Sequence, residues 1–361
     1  MEVSGFSAAG FAPVQDAFAQ VLAEQPGTGA AMAAWHDGRW VADLWGGRAD
    51  AADTRRWQAD SIVQPYSVSK PFAAVCLLLL VDRGVVELDA PVRRYWPEFR
   101  PPATIRHLLS HQAGVVALDR SVPTEVFYDW DALCSMLAEQ EPCWEPGSSH
   151  GESALFYGHL LGEVIRRVDG RSPGRFLREE VCGPLGLDFQ FGLSDAEQGR
   201  AVELTGLPEY VSIQRGERQN DLYWRAIDNP PGAHDPNVVN SAAWRAAEIP
   251  AINGHGTARG VAGLYVALLN AQLLSPPLLA EAITAECTGV DAVMGQESSW
   301  GLGFGIDSDG FGMGGLGGSW DGASTAGSYA FGFVTGSMGD HDRASRLENA
   351  VRTCLGLGPL D

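Results

Sequence analysis

The sequence predicts an α+β fold: an antiparallel β-sheet flanked by helices, with an all-helical region inserted into it. Three observations carry this. Strand-like segments sit near the N-terminus and again after Trp300, helical periodicity dominates the stretch between, and the first two strand segments are joined by a turn tight enough for an antiparallel pair. The expected division is a sheet domain over 1–65 plus about 255–361, and a helical domain over about 66–254, within one β-sheet-centred unit.

Along the chain, Val14 to Leu22 places apolar residues at helical spacing. Ala30 to Trp35 and Trp40 to Trp45 read as strands joined by the turn residues His36-Asp37-Gly38-Arg39. Ser67 to Arg83 reads as a buried helix, with Pro71 in its first turn and Gly84 closing it. Asp89-Ala90-Pro91 is a turn. Thr104 to Ser110 is a short helix, and Trp130 to Glu139 and Ala154 to Val168 are amphipathic ones, the second stopped by Gly170. Residues 171–250 mix short helices with Pro/Gly-rich loops, and Thr257 to Leu268 is helical again. Gly301 to Ile306 and Tyr329 to Val334 read as strands, and Arg343 to Leu355 as a closing helix. No fixed-period repeat interrupts this order.

Composition excludes several classes. The chain has 361 residues, 45% of them apolar, which is enough for a sizeable core. A net charge of −20 disfavours nucleic acid and anionic membrane surfaces as partners. No run of about 18 apolar residues exists to span a membrane. Met1 to Val14 has neither the basic nor the apolar region of an export signal, so a cytoplasmic protein with free thiols at its six cysteines is expected. Of the 25 basic residues only Lys70 is a lysine. Arginine cannot give up its proton in a protein and lysine can, so the one lysine marks a position where deprotonation counts.

That lysine completes Ser67-Val68-Ser69-Lys70, an S-x-x-K motif. On a helix, residues three apart share a face, so the Ser67 hydroxyl meets the Lys70 amine. A desolvated, neutral amine accepts the hydroxyl proton and leaves an oxygen nucleophile for acyl transfer. Other motifs carry less. Gly147-Ser148-Ser149-His150-Gly151 matches G-x-S-x-G, but no strand precedes it. Gly310 to Gly315 matches G-x-G-x-x-G without a following helix, and this glycine density fits a strand backbone approached closely by another group. His107 and His111 are spaced as a metal pair, yet no third ligand accompanies them, so no metal is expected.

These residues resemble the serine β-lactamase-like hydrolases: class C β-lactamases, DD-peptidases, family VIII esterases and related acyltransferases. The resemblance rests on Tyr66 to Lys70, Val81-Asp82-Arg83-Gly84 through Leu88-Asp89-Ala90-Pro91, Ile105 to Gly114, Trp144-Glu145-Pro146-Gly147, Tyr157 to Gly162 and Gly301 to Gly305. It implies Ser67 as nucleophile and Lys70 as its base. The family's second-motif tyrosine falls on Glu152, within His150-Gly151-Glu152-Ser153-Ala154, and its third-motif lysine or histidine falls on Met313, within Met313-Gly314-Gly315. The backbone amides of Ser67 and Leu316 are the implied oxyanion hole.

Glu152 either replaces the tyrosine as general acid/base or pairs with Lys70 and keeps the amine charged. Tyr157 is an alternative one turn later, weighed against a helix-packing role. Met313 offers nothing to the carboxylate that β-lactams and peptidoglycan stems carry. Met313, Gly315, Trp320, His150 and Tyr157 are the expected substrate-binding positions, and Trp130, Trp144, Trp224, Trp300 and Trp320 lie in segments that reach the cleft region. The expected function is a cofactor-independent serine acyl-transfer enzyme acting on a small ester or amide. A carboxylesterase leads, a transacylase using an amine or alcohol acceptor is the alternative, and a non-catalytic binding relative is a third reading.

Overall fold

The computed structural model describes residues 2–24, 27–217 and 220–360. Eleven strands occur among them: β1 (Val3–Ser7), β2 (Ala30–His36), β3 (Arg39–Gly46), β4 (Phe189–Gln190), β5 (His255–Gly256), β6 (Cys287–Val290), β7 (Glu297–Trp300), β8 (Gly305–Ile306), β9 (Gly310–Gly314), β10 (Trp320–Ser324) and β11 (Tyr329–Thr335). β4 and β5 pair only with each other. The other nine form one antiparallel sheet in the order β1-β3-β2-β11-β10-β9-β8-β7-β6. The two ends of the chain meet where β2 pairs with β11, from Ala30 opposite Thr335 to His36 opposite Tyr329. This is the antiparallel α+β fold that the sequence predicts.

Five strands of the sheet, β1, β6, β7, β9 and β10, are absent from the sequence reading. β9 is Gly-Phe-Gly-Met-Gly and β10 is Trp-Asp-Gly-Ala-Ser, compositions with poor intrinsic strand preference that become strands because their neighbours pair with them. Conversely, only Gly305–Ile306 of the expected strand from Gly301 pairs. Gly303 has φ +97°, and the Gly301 amide donates back to the Phe304 carbonyl, which makes a turn instead.

Helices cover both faces. Ala12–Glu24 and Asp342–Cys354 lie together on one face, where Phe18, Val21, Leu347 and Val351 bury against Met32, Leu44, Phe331 and Phe333. Each of those large side chains contributes roughly 1.5–3 kcal/mol by leaving water. Ala258–Leu269 lies on the other face and sits close enough to β11 that a Cβ at Gly332 would meet Val261 and the Ala258 carbonyl. On the same face, against β9, lies the Lys70–Asp82 helix, buried at every position from Lys70 to Leu80. A helix apolar all round belongs in the middle of a core, and this one packs against the Tyr157–Asp169 helix. Gly158 on that helix lets the Pro250–Ala251 backbone approach, which carries the Ala251 carbonyl toward Lys70. Among the described residues no helix is long and apolar enough to cross a membrane.

Candidate active site

Ser67 lies in a 3₁₀ turn, Tyr66–Ser69, that runs directly into the Lys70–Asp82 helix. The continuous α-helix expected from Ser67 is thus interrupted at its start. Side chains three apart eclipse in a 3₁₀ turn, so the interruption brings Ser67 over Lys70 more directly than an α-helix does. Tyr66 holds φ +50°, an uncommon conformation for a bulky residue. Its ring is buried and its hydroxyl donates to the Ala233 carbonyl at 2.9 Å, which anchors the turn.

Lys70 is 1% exposed. Its Nζ stands 2.6 Å from Ser67 Oγ, 2.8 Å from Glu152 Oε1 and 3.4 Å from the Ala251 carbonyl. Ser67 Oγ in turn donates to Glu152 Oε1 at 3.2 Å. Three groups separated by up to 85 residues therefore close a triangle. Burial lowers the proton affinity of the Lys70 amine, while the Glu152 carboxylate opposes that shift by charge and by hydrogen bonding.

Glu152 rides on an extended backbone strap rather than a helix. The His150 carbonyl accepts from the Ala292 amide, the Gly151 amide donates to the His111 carbonyl, and the Glu152 amide donates to Asp291 Oδ2 at 2.9 Å. The Ser153 amide donates to His111 Nδ1 at 3.2 Å. His111 has φ +59° and packs its ring between Tyr157 and Trp300. Burial, together with the charges of Lys70 and His150, holds His111 well below the ordinary imidazole range, which fits its role as an acceptor at Nδ1.

The turn after β9 closes on the nucleophile through glycine. A Cβ on Gly315 would run into the Pro65 carbonyl, so only glycine lets β9 and its following turn approach the Tyr66–Ser69 turn this closely. Ser67, Glu152, Gly315 and Leu316 then line one cleft of about 180 Å³. Its walls are Tyr66, Ala154, Leu155, Tyr210, Tyr223, Ile227, Ile252 and Met294, with His234 and His341 at hand. Among the described residues no Lys or Arg borders it.

Several expected positions lie elsewhere. Met313 is buried on β9, on the same face as Phe311, and Gly314 borders the cleft in its place. Trp320 points to the opposite face of β10 from Ala323 and lines a separate cavity of about 500 Å³ with Glu348 and Arg352, because side chains alternate along a strand. His150 is buried with Nε2 3.0 Å from Ser298 Oγ. Tyr157 is fully buried and its hydroxyl donates to the Leu109 carbonyl at 2.9 Å, a packing role. None of Trp130, Trp144, Trp224, Trp300 and Trp320 lines the cleft; tyrosines do. His107 serves the capping box of the Ile105–Leu109 helix, and no metal-binding cluster occurs among the described residues. Asp291, which holds the Glu152 amide, carries no sequence signal, since it lies 139 residues away in an unremarkable turn.

The family described as Beta-lactamase matches residues 14–354 of this chain. The esterase/beta-lactamase LipL of Mycobacterium tuberculosis is 31% identical over 271 residues, covering 72% of this chain and 63% of that protein. Esterase EstB of Burkholderia gladioli is 30% identical over 222 residues, covering 55% and 56%. The matched stretches thus span somewhat more than half the length of these two relatives. A solved family VIII carboxylesterase superposes with TM-score 0.89 at 35% identity, covering 98% of this chain and 100% of that one.

Proposed function

This chain belongs to the beta-lactamase family, and on that premise we propose that it is a serine acyl-transfer hydrolase of the carboxylesterase type. The observation that carries the reading is the triangle of Ser67 Oγ, Lys70 Nζ and Glu152 Oε1, with every side between 2.6 and 3.2 Å.

Lys70 and Glu152 act as one proton-holding unit. The pair stores the same total charge as ammonium with carboxylate or as amine with carboxylic acid, and in both forms it has one vacancy for a proton. The Ser67 hydroxyl proton moves into that vacancy as Ser67 Oγ bonds to the ester carbonyl carbon. The negative charge that develops on the carbonyl oxygen is met by the Ser67 and Leu316 amides. Collapse of the tetrahedral intermediate breaks the bond to the leaving oxygen, which takes the stored proton and departs as an alcohol. Water then repeats the sequence on acyl-Ser67: it gives its proton to the pair, attacks the carbonyl and releases the acid, while Ser67 recovers its hydroxyl proton. No cofactor takes part in these steps.

The cleft supports a small, neutral acyl group. An apolar cavity of about 150 Å³ accommodates benzene, and this one is about 180 Å³ with mostly apolar and tyrosyl walls. A substrate carboxylate finds no Lys or Arg among the described wall residues. The test is a series of p-nitrophenyl esters alongside a chromogenic cephalosporin, with wild type and Ser67→Ala. The reading expects turnover of acetyl to hexanoyl esters, at most trace turnover of the cephalosporin, and loss of both in Ser67→Ala. Ester turnover that survives Ser67→Ala rejects it.

A further inference from the structure

We propose that Asp291 is a positioning residue that holds the Glu152 carboxylate against the Ser67 hydroxyl. This rests on the triangle reading above and adds to it a fourth residue that touches none of the reacting atoms.

Asp291 is 1% exposed, so its carboxylate must satisfy its oxygens from the protein. It does so with three backbone amides. Oδ1 accepts from Val293 and Met294 at 2.9 and 2.8 Å, and Oδ2 accepts from Glu152 at 2.9 Å. The first two bonds fold the turn after β6, which the Asp291 amide closes with the Gln296 carbonyl. The third ties that turn to the strap. The Ala292 amide adds a parallel tie to the His150 carbonyl, two residues before Glu152. Gly151, between the two ties, has no room for a Cβ, which would press on Trp144 and Val293. Asp291 therefore ties the strap at the residue whose side chain reaches Ser67.

A neutral acceptor in place of Asp291 would fold the turn as well. A carboxylate does one thing more. Its bond to the Glu152 amide is charge-assisted and so roughly twice as strong as a neutral one. The titratable groups that act on it directly are Glu152 on the strap and Cys287 at the start of β6; burial and the Glu152 carboxylate push the Asp291 carboxyl up while its three backbone amide donors hold it down. His111 is held neutral, as its Nδ1 bond to the Ser153 amide requires.

The experiment compares wild type, Asp291→Asn, Glu152→Gln and the double variant on p-nitrophenyl butyrate across pH. In Asp291→Asn an amide nitrogen occupies the place of one oxygen and cannot accept. The proposal expects kcat to fall about tenfold or more with KM within about threefold. In the Glu152→Gln background, adding Asp291→Asn should change kcat less than about twofold, since Asp291 works through Glu152. Unchanged kcat in Asp291→Asn, or full additivity in the double variant, overturns it. A measurement on the wild-type chain needs no variant to fold: the Glu152 amide proton should be strongly protected from hydrogen exchange, and exchange as fast as in exposed loops overturns the proposal. Ser67→Ala run beside these separates the two readings. If it is inactive while Asp291→Asn behaves as wild type, only the positioning role fails; if it stays active, the triangle reading fails first.

Discussion

Glu152 Oε1 lies 2.8 Å from Lys70 Nζ and 3.2 Å from Ser67 Oγ, so a single carboxylate oxygen touches both members of the S-x-x-K pair. A plain ion pair would lock the amine in its charged form. Here the carboxylate also accepts from the serine hydroxyl, and a proton that leaves Lys70 has an acceptor within hydrogen-bond reach. Lys70 is buried and Glu152 opens slightly to the cleft, which places the exchangeable proton at the boundary between protein and substrate.

Lys70→Arg tests whether charge alone suffices. Arginine keeps the positive charge but never loses its proton, and its guanidinium must fit a site that is 1% exposed. Ester turnover should fall about 10²–10⁴-fold, the range for losing a positioned acid/base group. Reaction of Ser67 with a fluorophosphonate, read by intact mass, should slow in parallel.

The pH dependence follows from the shared proton. Acidification adds a second proton to the Lys70–Glu152 pair and fills the vacancy that Ser67 needs, so kcat/KM should fall on the acid side. Burial lowers the proton affinity of Lys70, which favours the active, singly protonated pair as pH rises. Glu152→Gln removes one of the two sites. It should depress kcat about 10²-fold or more and erase or displace the acid limb, as stopped-flow hydrolysis across pH would show.

Gly315→Ala tests the approach of β9 to the nucleophile turn. The new Cβ would collide with the Pro65 carbonyl, pushing Leu316 away from Ser67. Losing one oxyanion donor costs about 10²–10³ in kcat, and that is the expected effect, with KM changed far less.

A stability prediction comes from the outer face of the sheet. Glu348 is 6% exposed, accepts from the Tyr329 hydroxyl at 2.8 Å, and is pushed up to about 7 by burial. Its folded value exceeds its unfolded one of 4.5, so its stabilising contribution is fully present below about pH 4.5 and is lost as pH rises through about 7. The whole swing is about 3 kcal/mol. Glu348→Gln lacks this swing. Denaturant titrations should show wild type losing stability relative to the variant between pH 4.5 and 8, and a difference that is flat with pH contradicts the assignment.

Much of this was legible in the residues. The S-x-x-K spacing located Ser67 and Lys70, and the lysine count singled out Lys70 from 24 arginines. The β2–β3 hairpin and the closing helix were readable from turn chemistry and periodicity. The glycine-rich strands β9 and β10 were not, because their pairing depends on neighbours far along the chain. Trp320 falls on the outer face because side chains alternate along β10, and Met313 shares the inner face with Phe311 but is buried there rather than lining the cleft, a difference the residue sequence alone does not mark. Tyr157 reads the same from sequence whether its hydroxyl meets a substrate or the Leu109 carbonyl. Asp291 had no signal, since what makes it matter is a single bond to the Glu152 amide.

The most direct measurement is intact-protein mass spectrometry of the wild-type chain quenched in acid during turnover of p-nitrophenyl butyrate, followed by peptide mapping. A mass gain equal to one butyryl group, carried by the peptide containing Ser67 and absent in Ser67→Ala, is the predicted result. Steady turnover with no acylated protein, or an acyl group carried by any other residue, would contradict it.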